Sequence, residues 1–139
     1  MRRTAQSVLL LGSLVWCLAI AAAPLFDLTY VYLFFSTICH QIAGRSWHLS
    51  GEPLGLCIRC TSISMGFLCG LLLLRAPNVR WLKISITITA IEWLLAFTLM
   101  DSATLRTLTG LLLGATAAPI VRAGMEEAFT RMRTANESM

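Results

Sequence analysis

The stretch from Cys39 to Cys60, CHQIAGRSWHLSGEPLGLCIRC, gathers most of the reactive side chains of the protein. It holds three of the five cysteines and both histidines, together with two arginines and one glutamate. Zinc favours thiolate sulfur and imidazole nitrogen, usually in a tetrahedral set of four. The expected ligands of a transition metal, zinc first, are Cys39, His40, Cys57 and Cys60, and His48 is a further candidate.

The pair Cys57-Ile58-Arg59-Cys60 allows a second chemistry. Residues three apart share one face of a helix, so both sulfurs would point the same way. A helix N-terminus and a neighbouring cation such as Arg59 both lower the pKa of a thiol, which favours cycling between dithiol and disulfide. The alternative function is therefore a membrane thiol–disulfide oxidoreductase that uses the pair with a quinone. A static disulfide, or thiols that are simply buried, are further alternatives for these cysteines.

Polar residues around the cysteines are candidates for orienting metal ligands or for holding an anion. A guanidinium group binds phosphate or carboxylate through two parallel hydrogen bonds, so an anionic lipid or a small-molecule substrate is an expected partner. The residues concerned are Gln41, Arg45, Arg59 and Arg106, with Asp101 near them.

Glu92 lies inside an apolar segment. A charge that faces lipid there costs about 2.5–3.5 kcal/mol, so we expect this carboxyl group to face the bundle interior, either protonated or paired. An acid inside the membrane also supports a third function, a small ion or proton transporter that uses Glu92.

Membrane helices are expected to position all of these residues. Hydrophobic residues make up 57% of the 139 and charged residues only 13%, against about 25% charged in typical soluble domains. A transmembrane helix needs about 20 mostly apolar residues. The predicted fold is all-α, a polytopic membrane protein with four transmembrane helices at about 7–26, 57–74, 84–100 and 105–121.

The apolar segment 28–38 is too short to cross a bilayer. We expect a short interfacial or re-entrant segment on the outer side, because aromatic residues favour the interface and Pro24 and Asp27 separate it from the first span. Whether it inserts is open. The predicted organisation is a single transmembrane domain over 1–122, with an outer Cys/His loop at 39–56, and a short polar cytoplasmic tail over 123–139.

The basic residues predict the orientation, because Lys and Arg are retained on the cytoplasmic side. With four spans and the N-terminus inside, eight of the eleven basic residues are cytoplasmic, and Arg45, Arg59 and Arg106 are not. We expect a multi-pass protein of a bacterial cell (inner) membrane with both termini cytoplasmic and the Cys/His loop periplasmic or extracellular. The net charge of +4 then reflects topology, and nucleic acid is not an expected partner.

Two glycine pairs spaced by four residues predict close helix packing and allow a homo-oligomer through glycine-spaced helix faces. They are Gly66 with Gly70 and Gly110 with Gly114.

Several short motifs occur together in this chain: Cys39-His40-Gln41, Arg45-Ser46-Trp47, Gly51, Cys57-Ile58-Arg59-Cys60, Gly66 with Gly70, and further on Asp101, Arg106, Gly110 and Gly114. In these the chain resembles the small prokaryotic integral membrane proteins grouped as domain of unknown function 2085. It departs from them at Thr61, where a glycine commonly follows the Arg-Cys pair, and in the short stretch MDSATLR before the last span. The resemblance implies an integral membrane protein with a Cys/His site and no particular activity.

Overall fold

The computed structural model describes residues 2–74, 76–98 and 102–137. Most of these residues are helical, and the helices are α1 (Arg2–Leu25), α2 (Thr29–Ser36), α3 (Ile58–Leu73), α4 (Val79–Thr98) and α5 (Ala103–Glu137). A 3₁₀ turn at Ala43–Arg45 and an antiparallel hairpin of β1 (His48–Leu49) with β2 (Glu52–Pro53) lie between α2 and α3. The predicted helical class is confirmed, and the small hairpin is an element that the all-α prediction lacks.

Two of the described helices are long and apolar enough to cross a bilayer, over Thr4–Leu25 in α1 and Ala103–Ala135 in α5. Helix α3 is apolar but shorter. Helix α5 runs through the predicted fourth span and on to Glu137, so most of the segment 123–139 continues the same helix. Its 35 residues extend about 52 Å at 1.5 Å per residue, which exceeds a hydrocarbon core of about 30 Å.

Helices α3 and α5 approach each other closely through four glycines: Gly66, Gly70, Gly110 and Gly114. A Cβ added at Gly66 would overlap the backbone of Leu111, and one added at Gly114 would overlap the backbone of Ile63. Small residues at such positions let two helix backbones touch. The predicted close packing is therefore present within one chain, and it covers the glycine faces that the sequence left open to a homo-oligomer.

The outward faces of α1 and α4 are apolar. Leu11, Val15 and Leu18 on α1, and Ile91 and Leu94 on α4, are each more than half exposed. Large continuous apolar surfaces are rare on soluble monomers and normal where lipid is the solvent. These faces therefore fit a bilayer environment.

The segment 28–38 contains the short helix α2, which follows a turn at Asp27 with a backbone φ of +48°. Eight residues extend only about 12 Å, so α2 does not cross a bilayer. Phe35 of α2 is buried in a core cluster with Ile20 of α1, and its ring lies 5.1 Å from that of Trp16. This packing fixes the end of α2, and with it the start of the loop that carries the cysteines.

Candidate metal centre

Three cysteine sulfurs meet where the loop between α2 and α3 joins α3. The Sγ atoms of Cys39, Cys57 and Cys60 all lie within 4.8 Å of one another, and all three are free thiols. Cys39 is buried, and the other two are half-buried. In the described ranges, no other group of three metal-ligating side chains comes so close together. We call these three residues the cysteine cluster.

Gln41 holds together the two parts of the loop that carry the cluster. Its side-chain amide donates hydrogen bonds to the carbonyl oxygens of Tyr32 at 2.9 Å and Gly55 at 2.8 Å. The first carbonyl belongs to α2, which leads into Cys39, and the second lies two residues before Cys57. Gln41 therefore positions the loop through the backbone, whereas the sequence placed it among residues that orient ligands or hold an anion.

The hairpin between the cysteines turns at Ser50 and Gly51, whose φ values are +57° and +94°. Positive φ at both central residues is the geometry of a two-residue hairpin turn, and glycine adopts it without strain. The hydroxyl of Tyr32 donates a hydrogen bond of 2.5 Å to the carbonyl of Pro53, so the hairpin is fastened to α2. His48 lies on β1 and is exposed.

Cys57 immediately precedes α3 as its N-cap residue. Its backbone N–H donates to the Sγ atom of Cys39 at 3.4 Å. A hydrogen bond with the Cys60 side chain, helped by others from the Cys60 backbone, the Cys39 side chain and the Arg59 backbone, lowers the pKa of the Cys57 thiol to about 5, although burial opposes this change. The thiolate is the form that binds metals and attacks disulfides.

The two histidines lie outside the cysteine cluster. His40 follows Cys39 directly, yet it is exposed and does not belong to the group of ligand atoms within 4.8 Å. His48 is also exposed and also lies outside that group of ligand atoms. The structure thus assembles the three sulfurs of the predicted Cys₃His set without its imidazole.

A buried charged cluster lies at the same end of the bundle. Nη2 of Arg59 donates to Oε2 of Glu92 at 2.5 Å, and Nε of Arg106 lies 3.9 Å from Oε1 of the same carboxylate. Only 8% of the Glu92 side chain is exposed. A buried charge persists when a partner compensates it, and these arginines compensate Glu92. We call Arg59, Glu92 and Arg106 the ion cluster.

The predicted anion-binding arginines surround a small cavity of about 90 Å³. Its lining residues are Arg45, Arg59, Arg106, Cys57, Trp93 and Ala96. We call it the arginine pocket. Trp93 and Ala96, which lie one turn apart on α4, were not candidates in the sequence analysis. The feature of the sequence that could have indicated them is the neighbouring Glu92. Asp101 lies outside the described residues.

Comparison with known proteins gives a family match and one distant relative. A family model described as predicted membrane protein (DUF2085) matches residues 39–120. The uncharacterized protein MJ1492 of Methanocaldococcus jannaschii is 27% identical over 106 residues, which cover 61% of this chain and 68% of the relative. No solved structure matches the chain. The segment matched by the family model contains the cysteine cluster and the ion cluster.

Proposed function

Because the chain belongs to the DUF2085 family of predicted membrane proteins, we propose that it is a multi-pass membrane protein with an outward-facing metal centre at the cysteine cluster. The single observation that carries this proposal is the approach of three sulfurs to within 4.8 Å of one another. Tetrahedral zinc with Zn–S bonds of about 2.3 Å separates its sulfurs by roughly 3.8 Å. Small side-chain adjustments bring the cluster to that spacing, so zinc is the metal we favour.

Three protein sulfurs leave one position of a tetrahedral zinc ion for a fourth ligand. Structural sites close that position with a protein side chain, and catalytic sites keep it for water or substrate. His40 is the nearest candidate along the chain, because it adjoins Cys39. Replacing His40 with Ala should release zinc if the site is structural, and should leave zinc bound if the fourth position holds water for hydrolysis.

The proposed topology has α1, α3, α4 and α5 as spans of one transmembrane unit over 1–122, in the cell (inner) membrane. The basic-residue count supports cytoplasmic termini, and the length and hydropathy of α1 and α5 support two of the spans. A membrane-impermeant thiol reagent should label Ser50→Cys in intact cells. It should label Thr134→Cys only after lysis, and the reverse pattern would invert the topology.

A quinone-linked thiol–disulfide oxidoreductase is the second candidate, favoured by the lowered pKa of Cys57 beside Cys60. In this reaction the two thiols form a disulfide, and their two electrons and two protons reduce a quinone to the quinol. Transport through Glu92, the third function considered, gains no support, because two arginines engage its carboxylate.

Metal analysis of the detergent-purified protein tests the proposal. We expect one zinc ion per chain, removed by a strong chelator with a matching gain of titratable thiols. Cys57→Ser should lose the metal, and Cys69→Ser is the matched control because Cys69 is an exposed thiol of α3 outside the cluster. Metal-free protein whose cluster thiols are oxidised by a quinone would refute the metal centre and establish the oxidoreductase.

A further inference from the structure

Helix α2 has two faces, and the rest of the chain covers one of them. On the covered face, Phe35 is buried in the core cluster and the hydroxyl of Tyr32 is bonded to the hairpin. The opposite face carries Tyr30, Leu33 and Phe34, whose exposed fractions are 87%, 60% and 58%. We call these three residues the open face of α2. The covered face holds the loop that carries the cysteines, and the open face is available to a partner.

The composition of α2 and its flanks favours lipid as that partner. The segment 28–38 contains no charged residue. Tyrosine is enriched where a bilayer meets water, because its ring is apolar and its hydroxyl group is polar, and Tyr30 is the most exposed residue of the open face. A large apolar surface of this kind is rare on soluble monomers.

Exposed hydroxyl groups at the C-terminal end of α2 are bonded within the helix. The hydroxyl of Ser36 donates to the carbonyl oxygen of Leu33 at 2.7 Å. The hydroxyl of Thr37 donates to the carbonyl oxygen of Phe34, also at 2.7 Å. The last carbonyl groups of a helix need partners outside the helical ladder, and in lipid these partners must come from the protein itself. These two hydrogen bonds meet that requirement.

The position of α2 follows from the length of α1. The 24 residues of α1 extend about 36 Å, so its end lies near the boundary of a hydrocarbon core of about 30 Å. Helix α2 begins shortly after that end, and Leu25 and Phe26 between the two helices are 53% and 71% exposed. The ring of Phe34 lies 6.0 Å from that of Trp16, so the open face adjoins α1 at this boundary.

We propose that α2 lies in the boundary zone between the lipid headgroups and the acyl chains, with its open face against the glycerol groups and the first acyl carbons. Interfacial helices bury their apolar face about 5–10 Å into this zone. The sequence left open whether the segment inserts, and the two faces of α2 favour the shallow position. The loop on the covered face is then held at the membrane surface. This proposal does not depend on a metal at the cysteine cluster.

Photocrosslinking of the full chain in phospholipid nanodiscs tests this position. The photoreactive residue p-benzoylphenylalanine replaces Tyr30 or Leu33, where the exposed side chain leaves room for it. Val15, 65% exposed in the middle of α1, is the reference position for deep contact with lipid. Thr134 is the control outside the bilayer, because it is exposed in the polar part of α5. Mass spectrometry measures the yield of lipid adduct at each position and the lipid atoms that are attached.

Adducts at both Tyr30 and Leu33, with a several-fold higher yield than at Thr134 and with attachment to the glycerol or the first acyl carbons, support the proposal. Attachment as deep in the acyl chains as at Val15 would show a re-entrant helix and overturn it. Yields as low as at Thr134 would also overturn it, because the open face would then contact water. A cross-linked pair of chains in place of the lipid adduct would overturn it by identifying a second copy as the occupant.

Discussion

The middle of the α3–α5 pair and the end at which α3 begins are built from opposite kinds of residue. In the middle, glycines such as Gly66 and Gly114 bring the two backbones into contact, and size alone determines the packing. At the end where α3 begins, the cysteine cluster and the ion cluster are built from thiols, guanidinium groups and a carboxylate. Where two helix backbones touch, there is no space for an added side-chain atom. Where buried charges pair, removing any one partner leaves another charge uncompensated.

Gly110 connects the two regions. A Cβ added there would meet the carbonyl oxygen of Arg59 at 3.0 Å, so α5 packs directly against the first turn of α3. Arg106 lies one helical turn before Gly110 on α5. The close packing in the middle therefore sets the distance at which Arg59 and Arg106 face Glu92.

The largest effect should come from breaking the ion cluster. Glu92→Gln removes the buried charge that Arg59 and Arg106 both engage, so we expect the free energy of unfolding to fall by about 3–5 kcal/mol. The matched control is Glu127→Gln, because Glu127 pairs with Arg131 on an exposed surface, where such pairs contribute about 0–1 kcal/mol. Denaturation of both variants in mixed micelles measures the difference. Equal losses would show that charge pairing does not stabilise the end of the bundle at which α3 begins.

Filling the helix interface should have the next largest effect. Gly114→Val places side-chain atoms against the backbone of Ile63, and overpacking of this kind costs about 1–3 kcal/mol. Gly12→Val makes the same substitution in α1, where an added Cβ meets nothing within 4 Å. The same denaturation experiment compares them. An unchanged Gly114→Val protein would mean that α3 and α5 are not in backbone contact.

The smallest effect should come from loosening the loop. Gln41→Ala removes two hydrogen bonds to backbone carbonyls, each of which contributes about 1 kcal/mol. Because these bonds hold Cys39 beside Cys57, zinc should also leave faster in the presence of a chelator. Gln6→Ala on α1, outside the loop, is the control. Zinc release as slow in Gln41→Ala as in Gln6→Ala would show that the cluster holds its geometry without Gln41.

The sequence was most informative where residue types are rare. Cysteines are few, and the spacing of Cys57 and Cys60 fixes both on one helix turn, so the cysteine cluster could be predicted almost completely. A ligand role for His40 could not be predicted as firmly, because adjacency to Cys39 in the chain does not determine the direction of a loop side chain. In the structure, His40 is exposed and its ring nitrogens do not belong to the group of ligand atoms that lie within 4.8 Å of one another.

Pairings between distant residues could not be predicted from the sequence. Arg59 and Glu92 are 33 residues apart on separate helices, and no pattern along the chain joins them. Because a charge that faces lipid is costly, Glu92 was expected to be protonated or to have a partner, but this argument did not identify which arginine the partner would be. The glycine spacing likewise predicted close packing, without indicating whether the facing helix belongs to the same chain or to a second copy.

The continuation of α5 was missed for a different reason. The predicted span ended near Val121 because the residues after it are polar, and hydropathy marks the end of the bilayer and not the end of a helix. The only proline within α5 is Pro119, and the helix passes through it to Glu137. Polar residues without a further proline therefore extend the helix beyond the apolar segment.

In the proposed metal centre, Cys39, Cys57 and Cys60 hold one zinc ion. X-ray absorption at the zinc edge of the purified protein measures the ligands directly. The metal centre predicts three sulfur neighbours at about 2.3 Å and one lighter neighbour at about 2.0–2.1 Å. A zinc shell of nitrogen and oxygen alone, or a protein purified without zinc, would contradict it.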